Sequence, residues 1–190
     1  MEQFEQLFKI GTNTRVIDVG GTEFNWNLIS QVPKVLLINI ADKSHWNAGL
    51  NFTFEIGDGT NLKYADKSFD IAYSNSVIEH LFTYENQKLF AKELRRVGKS
   101  VYVQTPAREF FIEPHLVTPF IHWLPRKWQL KLAKYTLWGL WNHPDKQQIN
   151  DFLGEIRLIT YPEFKELFPD CEIIRERFLG MTKSYIAVRK

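Results

Sequence analysis

Apolar residues along this 190-residue chain follow two spacings, and the places where one gives way to the other predict the elements. Phe4, Leu7 and Phe8 recur at helical spacing, so Glu2–Ile10 reads as a short helix with one apolar face. Arg15–Val19 is a buried-strand pattern, broken at once by Gly20-Gly21. A second apolar run covers Val35–Ile40, a third strand covers Asn51–Ile56 and stops at Gly57-Asp58-Gly59, and a fourth covers Phe69–Tyr73. Behind it a helix carrying Leu81, Leu89, Phe90 and Leu94 runs to about Val97, where Gly98 stops it. Val101–Val103 forms a fifth strand ending at Thr105-Pro106. A helix around Tyr161–Phe168 precedes two last strand-like runs, Glu172–Phe178 and Ser184–Val188. No internal repeat and no low-complexity linker interrupts this order.

Strands rich in branched residues that alternate with helices predict a parallel sheet covered on both faces. The linker Leu179–Lys183 is far too short for a parallel crossover, so the last two strands are expected to be antiparallel. Composition narrows the function classes. An apolar share of 44% is ordinary for an ordered globular chain, and a net charge of +2 implies no nucleic-acid partner without a clustered basic face. Cys171 stands alone, which excludes an intrachain disulfide and a cysteine-rich metal cluster. Met1–Glu5 lacks the basic and apolar blocks of a signal peptide, and no apolar run approaches the roughly 20 residues of a membrane span. The cytoplasm is the expected compartment.

In an open parallel sheet, ligands bind outside the carboxyl ends of the strands. Asp18, Gly20, Gly21 and Thr22 follow the first strand, where glycines let the backbone turn sharply and approach a ligand. Asn39 ends the second strand about twenty residues further on, the place of a ribose-gripping side chain. Asp58 and Gly59 follow the third strand, and Ser74-Asn75-Ser76 with Glu79-His80 follow the fourth. Each feature alone is an ordinary turn or polar strand end; together, in order, they predict a nucleoside-bearing cofactor.

The segments Val16–Thr22, Gly57-Asp58-Gly59 and Ser68–Leu81 resemble those of class I S-adenosylmethionine-dependent methyltransferases, closest to the small-molecule type of bacteria. The resemblance covers nearly the whole chain. It implies a Rossmann-like three-layer α/β sandwich, with a seven-stranded, mostly parallel sheet and an antiparallel last strand. It further implies one methyltransferase domain over 1–190, with an aromatic-rich helical lid insert at about 107–152. By the same resemblance S-adenosylmethionine is the cofactor: Asp18, Gly20 and Gly21, with Thr22, lie along its methionine part. Asn39 then meets the ribose, Asp58 and Gly59 the adenine, and Asn75 the floor beneath the sulfonium. Two departures stand out. Thr22 and Phe24 occupy the second and third glycine places, or else the loop is one residue shorter and Gly21-Thr22 fills the second step. Asn39 replaces the usual ribose-binding carboxylate. The missing third glycine argues against a pyrophosphate ligand and so against a dehydrogenase.

Methyl transfer to a hydroxyl needs alignment, exclusion of water and removal of a proton. His80 and His115 are the expected catalytic bases, with His122 a further candidate, because histidine titrates near neutral pH; for any one of them, capping a helix or packing on aromatics is the commoner role. Glu113, His115 and His122 match no metal-ligand spacing, and no metal site is expected. From Lys127 to Trp141 the residues Trp128, Leu132, Tyr135 and Trp138 predict one apolar helical face beside a stripe of Lys127, Lys131 and Lys134. A lid helix packing its aromatics over the active site is the favoured reading; a segment lying in a membrane interface through 120–141 is the other. Both imply a large or greasy acceptor, a small molecule or a glycan or lipid precursor; the second reading alone adds peripheral membrane association of a cytoplasmic protein. A nucleic-acid acceptor is not expected, since Ser74-Asn75-Ser76-Val77 lacks the Asn/Asp-Pro-Pro-aromatic motif of base-modifying relatives. The alternative from another class is a non-catalytic cofactor-binding or scaffold protein with the same fold.

Overall fold

The computed structural model describes residues 1–41 and 51–190. Seven strands form the main sheet: β1 (Arg15–Val19), β2 (Lys34–Asn39), β3 (Phe52–Ile56), β4 (Phe69–Asn75), β5 (Gly98–Pro106), β8 (Glu172–Phe178) and β9 (Met181–Arg189). Two-residue strands β6 (Ile112–Glu113) and β7 (Thr118–Pro119) pair separately in the segment after β5. The main sheet runs β3-β2-β1-β4-β5-β9-β8. Strands β1 to β5 are parallel to one another, and β9 is antiparallel to both β5 and β8. The expected architecture and the antiparallel final strand are therefore both present. The β8–β9 link is tighter than the linker length suggested. Phe178 pairs with Met181, and Leu179 and Gly180 both have positive φ, 49° and 80°. That is the two-residue hairpin geometry whose twist suits the flanking strands.

Helices α1 (Glu2–Leu7) and α2 (Glu23–Trp26) cover one face of the sheet; α3 (Tyr84–Val97) and α7 (Tyr161–Leu167) cover the other. On α3, Phe90, Ala91, Leu94 and Val97 are buried at helical spacing, and burial of a Phe or Leu side chain contributes roughly 2–3 kcal/mol. The opposite face is aromatic: Phe4 meets Trp26, Tyr73 and Tyr102 with ring centroids 5.2–5.6 Å apart.

Three expectations shift. Helix α1 stops at Leu7, three residues early, ahead of a turn in which Gly11 N–H donates to Thr14 Oγ1. Leu81 lies outside α3, because a 3-10 helix over Ile78–His80 intervenes and Thr83 caps α3 by accepting from Asn86 N–H. The segment from Lys127 to Trp141 is not one helix. It divides into α4 (Arg126–Leu132), a 3-10 turn over Ala133–Tyr135 and α5 (Leu137–Asn142), followed by α6 (Lys146–Glu155). Thr136 makes the break: its hydroxyl donates to Ala133 O at 2.6 Å and accepts from Gly139 N–H at 3.1 Å. A Cβ on Gly139 would sit 2.2 Å from Ala133 O, so only glycine allows the two pieces to approach this closely. Among the described residues, no helix is long and apolar enough to cross a membrane.

Candidate active site

Parallel strands bring their carboxyl ends to one edge, and the order reverses between β1 and β4, the switch point where such sheets open a crevice. Gly20, Asn39, Asp58 and Asn75 thus share that edge although they are spread over some sixty residues. The β1 loop is held from below. Gly20 N–H donates to Ile38 O at 2.7 Å, and Ser74 Oγ donates to Val19 O at 2.9 Å. Gly20 has φ of 86°, and a Cβ there would lie 2.6 Å from the Val77 side chain, so the crossing needs glycine.

Asp18 sits deeper than a ligand-facing residue would. It is fully buried, and Oδ2 accepts from the Trp26 indole N–H at 2.8 Å. Its other oxygen is buried with no hydrogen-bond partner among the described residues. Burial raises its pKa to about 7, against the opposing pull of the Trp26 hydrogen bond. Asp18 therefore acts on the loop from beneath rather than along its outer surface. Trp26, which sequence reasoning did not single out, is its partner. Thr22 caps the one-turn α2, and Asn39 Nδ2 donates to Gly21 O at 2.9 Å, so one amide hydrogen of Asn39 ties β2 to the glycine loop. Asp58 Oδ1 accepts from both the N–H and the hydroxyl of Thr60 at 2.8 Å, a turn that presents the residue at the surface. A small cavity of about 70 Å³ beside it is lined by Ile38, Ile56, Gly57, Asp58 and Leu62. Gly59 is buried against Phe90 and Val19 and so serves packing. Asn75 ends β4, half-buried and level with Gln104 on β5.

His80 and His115 do come together. His80 ends the 3-10 turn after β4, and His115 lies in the turn between β6 and β7; their Nε2 atoms are 3.2 Å apart with rings at 89°. His115 Nδ1 pairs with Glu113 Oε1 at 2.7 Å, and the other Glu113 oxygen accepts from Leu116 N–H. Burial lowers the His115 pKa, but the Glu113 hydrogen bond and the charges of Glu113 and Glu79 outweigh it and the net shift is upward. His80 is shifted downward, by burial and then by its neighbour His115. Beneath them Glu79 is fully buried; Thr105 Oγ1 donates to its Oε2 at 2.9 Å, and its Oε1 has no partner among the described residues. His122 stands apart, with Nε2 on Arg108 O at 3.0 Å. It lines, with Glu113, Arg108, Leu116, Gln129 and Arg157, a cavity of about 300 Å³ between the edge of the sheet and the segment after β5.

The aromatic side chains of that segment do not close over the crevice. Trp128 is 50% exposed and Trp141 88%, and Tyr135, Leu137 and Leu140 are exposed beside them. Trp138 alone of the expected face is stacked, on Phe152 of α6 at 4.1 Å. Lys131 lies over the Trp128 ring and Lys134 over Tyr135. The insert is closed at its base, where Ala107 pairs with Ile159.

Residues 23–101 match a family model described as a methyltransferase domain. No curated protein matches the sequence. Among solved structures, an S-adenosylmethionine-dependent methyltransferase of Methanosarcina mazei superposes with a TM-score of 0.57 at 17% identity, over 99% of this chain and 96% of that one. A complex of the Haloferax volcanii Trm112 methyltransferase activator and a putative methyltransferase gives 0.60 at 10% identity, over 98% and 86%. A protein of Rhodobacter sphaeroides bearing the name of a putative zinc-dependent alcohol dehydrogenase gives 0.63 at 13% identity, over 98% and 87%. At such identities likeness carries the fold and not the activity. The matched segment, under half of the chain, is similar to a methyltransferase domain, and the strand order and superpositions are those of the class I S-adenosylmethionine-dependent methyltransferase fold.

Proposed function

We propose that the protein binds S-adenosylmethionine at the carboxyl edge of β1, β2, β3 and β4 and transfers its methyl group to an amphiphilic acceptor, a small molecule or a lipid- or glycan-linked precursor. The observation that carries the reading is the glycine loop at the switch point. It crosses with positive φ where no side chain fits, with Asn39, Asp58 and Asn75 on the same edge and within or beside the matched methyltransferase segment. The cofactor, when bound, supplies an electrophilic methyl on a sulfonium; the chain has to hold it, hold the acceptor and keep water out. Gly20, Gly21 and Thr22 offer backbone to the methionine part. Asn39 and Asp58 offer side-chain oxygens to ribose hydroxyls and an adenine amino group, and Asn75 underlies the sulfur. His80 and His115 face the acceptor side, with Glu113 fixing the His115 ring.

Exposure of Trp123, Trp128, Tyr135 and Trp141 next to Lys127, Lys131 and Lys134 favours an acceptor met at a membrane interface, where tryptophan and lysine side by side are stabilised. Calorimetry with S-adenosylmethionine tests the first part, with one site per chain as the expected result. No binding at millimolar cofactor would leave a scaffold with this fold. Transfer of labelled methyl into an organic-extractable fraction tests the second part; label found only in water-soluble products would overturn the lipid-linked acceptor.

A further inference from the structure

Three groups at the foot of the insert converge in a way that a hydrogen-bonded triad does not account for. One ligand atom each from Glu79, His80 and His115 lies within 4.8 Å of the other two. His115 Nδ1 faces the Glu113 carboxylate, which places its proton on Nδ1 and leaves Nε2 a bare lone pair. That lone pair meets His80 Nε2 at 3.2 Å. A hydrogen bond from His80 would satisfy the two rings, but it leaves Glu79 Oε1 buried and unpartnered, at a cost of roughly 1–3 kcal/mol or more. A cation satisfies all three. Two nitrogens bound tetrahedrally to zinc at about 2.05 Å stand about 3.3 Å apart, which is the spacing seen. Both oxygens of Glu113 are engaged, one on His115 and one on Leu116 N–H, so this buried carboxylate does what carboxylates behind metal-bound histidines do: it fixes tautomer and ring direction.

We propose that Glu79, His80 and His115 bind one divalent ion of the zinc class, with Glu113 orienting His115. Two imidazoles and one carboxylate form a donor set for borderline ions rather than for calcium or magnesium, and three protein ligands leave a fourth position open. This grouping differs from Glu113, His115 and His122, whose sequence spacing suggested no metal. An acceptor hydroxyl in the open position would release its proton more readily, the service that His80 and His115 would supply as free bases. That role rests on the methyl-transfer reading; the binding site does not.

The test uses the full chain stripped with a chelator and titrated with zinc chloride against a chromophoric competitor. One equivalent is expected, and cobalt(II) in its place should give the intense visible absorption of a tetrahedral site. His80→Ala and His115→Ala should weaken zinc at least 100-fold, and Glu113→Gln 10- to 100-fold. His143→Ala, on an exposed residue, should change nothing. Should Glu79→Gln fail to fold, His115→Gln carries the same information from a turn. Substoichiometric zinc in the parent protein, or binding indifferent to the His80 and His115 variants, would overturn the site. Calorimetry with S-adenosylmethionine on the same samples separates the two ideas. Zinc without cofactor binding removes the methyl-transfer reading alone, and cofactor without zinc removes the metal alone.

Discussion

A carboxylate without water has to be neutral, paired or costly, and Asp18 is a direct case. Its pKa is raised to about 7 by burial, with the Trp26 hydrogen bond opposing. The unfolded chain holds an aspartate near its ordinary value of about 3.9. The folded form therefore binds the proton more tightly. Its stabilising contribution is complete below about pH 4 and is lost as pH rises to about 7, at no more than about 1.4 kcal/mol per pH unit. Asp18→Asn, which has nothing to ionise, should flatten the dependence of unfolding free energy on pH between 5 and 8. The variant should gain on the parent as pH rises, read by denaturant unfolding at both values. Parallel curves would show that Asp18 is already charged in the fold. Sequence reasoning placed Asp18 at the end of the first strand, and the resemblance set it along the methionine part of the cofactor. Nothing in the residue pattern reveals that an indole eight positions on reaches back beneath the loop. The meeting of His80 with His115 was equally hidden, because both were named as separate bases and only the fold brings together positions 35 residues apart.

Elements were legible where periodicity and burial agree. Strands β1 and β8 have the bounds the pattern predicts, and α3 ends beside Gly98 as expected. The segment after β5 was misread because its Trp, Leu and Lys spacing is helical on paper, while the Thr136 hydroxyl diverts the backbone and Gly139 lets α5 fold against the 3-10 turn. Gly139→Ala should therefore loosen this segment, shown by faster amide exchange over 126–142 with the sheet unaffected. An unchanged exchange pattern would mean that the Ala133 carbonyl moves aside at little cost. The outward side chains carry a separate expectation. Trp128→Ala and Trp141→Ala, both exposed, should cost under about 0.5 kcal/mol of stability yet reduce binding to anionic phosphatidylserine vesicles several-fold. Added salt should weaken the parent's binding too, since the adjacent lysines contribute about 1 kcal/mol each near such a surface. Parent protein that fails to float with vesicles at low salt would return the segment to a soluble role.

At the scale of the whole molecule, the strand order was out of reach of periodicity, which fixes neighbours only where a linker is too short for a crossover, as between β8 and β9. The family resemblance implied seven mostly parallel strands without their order, and the structure sets the parallel part as β3-β2-β1-β4-β5. That order makes the cofactor edge a junction of four strands rather than a property of any one. The glycine loop is anchored to β2 through Ile38 and Asn39 and to β4 through Ser74. A ligand held across this junction has to stabilise the fold cooperatively, because it binds only when all four ends are in place. S-adenosylhomocysteine at 100 times its dissociation constant should add about 2.7 kcal/mol, which for a chain of this size corresponds to a rise in melting temperature of roughly 5–10 °C. Asn39→Ala should lower this gain twice over, by removing a ligand contact and by freeing Gly21 O. Asp58→Ala should lower it by removing a ligand contact and by releasing the Thr60 turn that its carboxylate holds. A ligand-induced rise equal in parent, Asn39→Ala and Asp58→Ala would place the nucleoside elsewhere on the molecule.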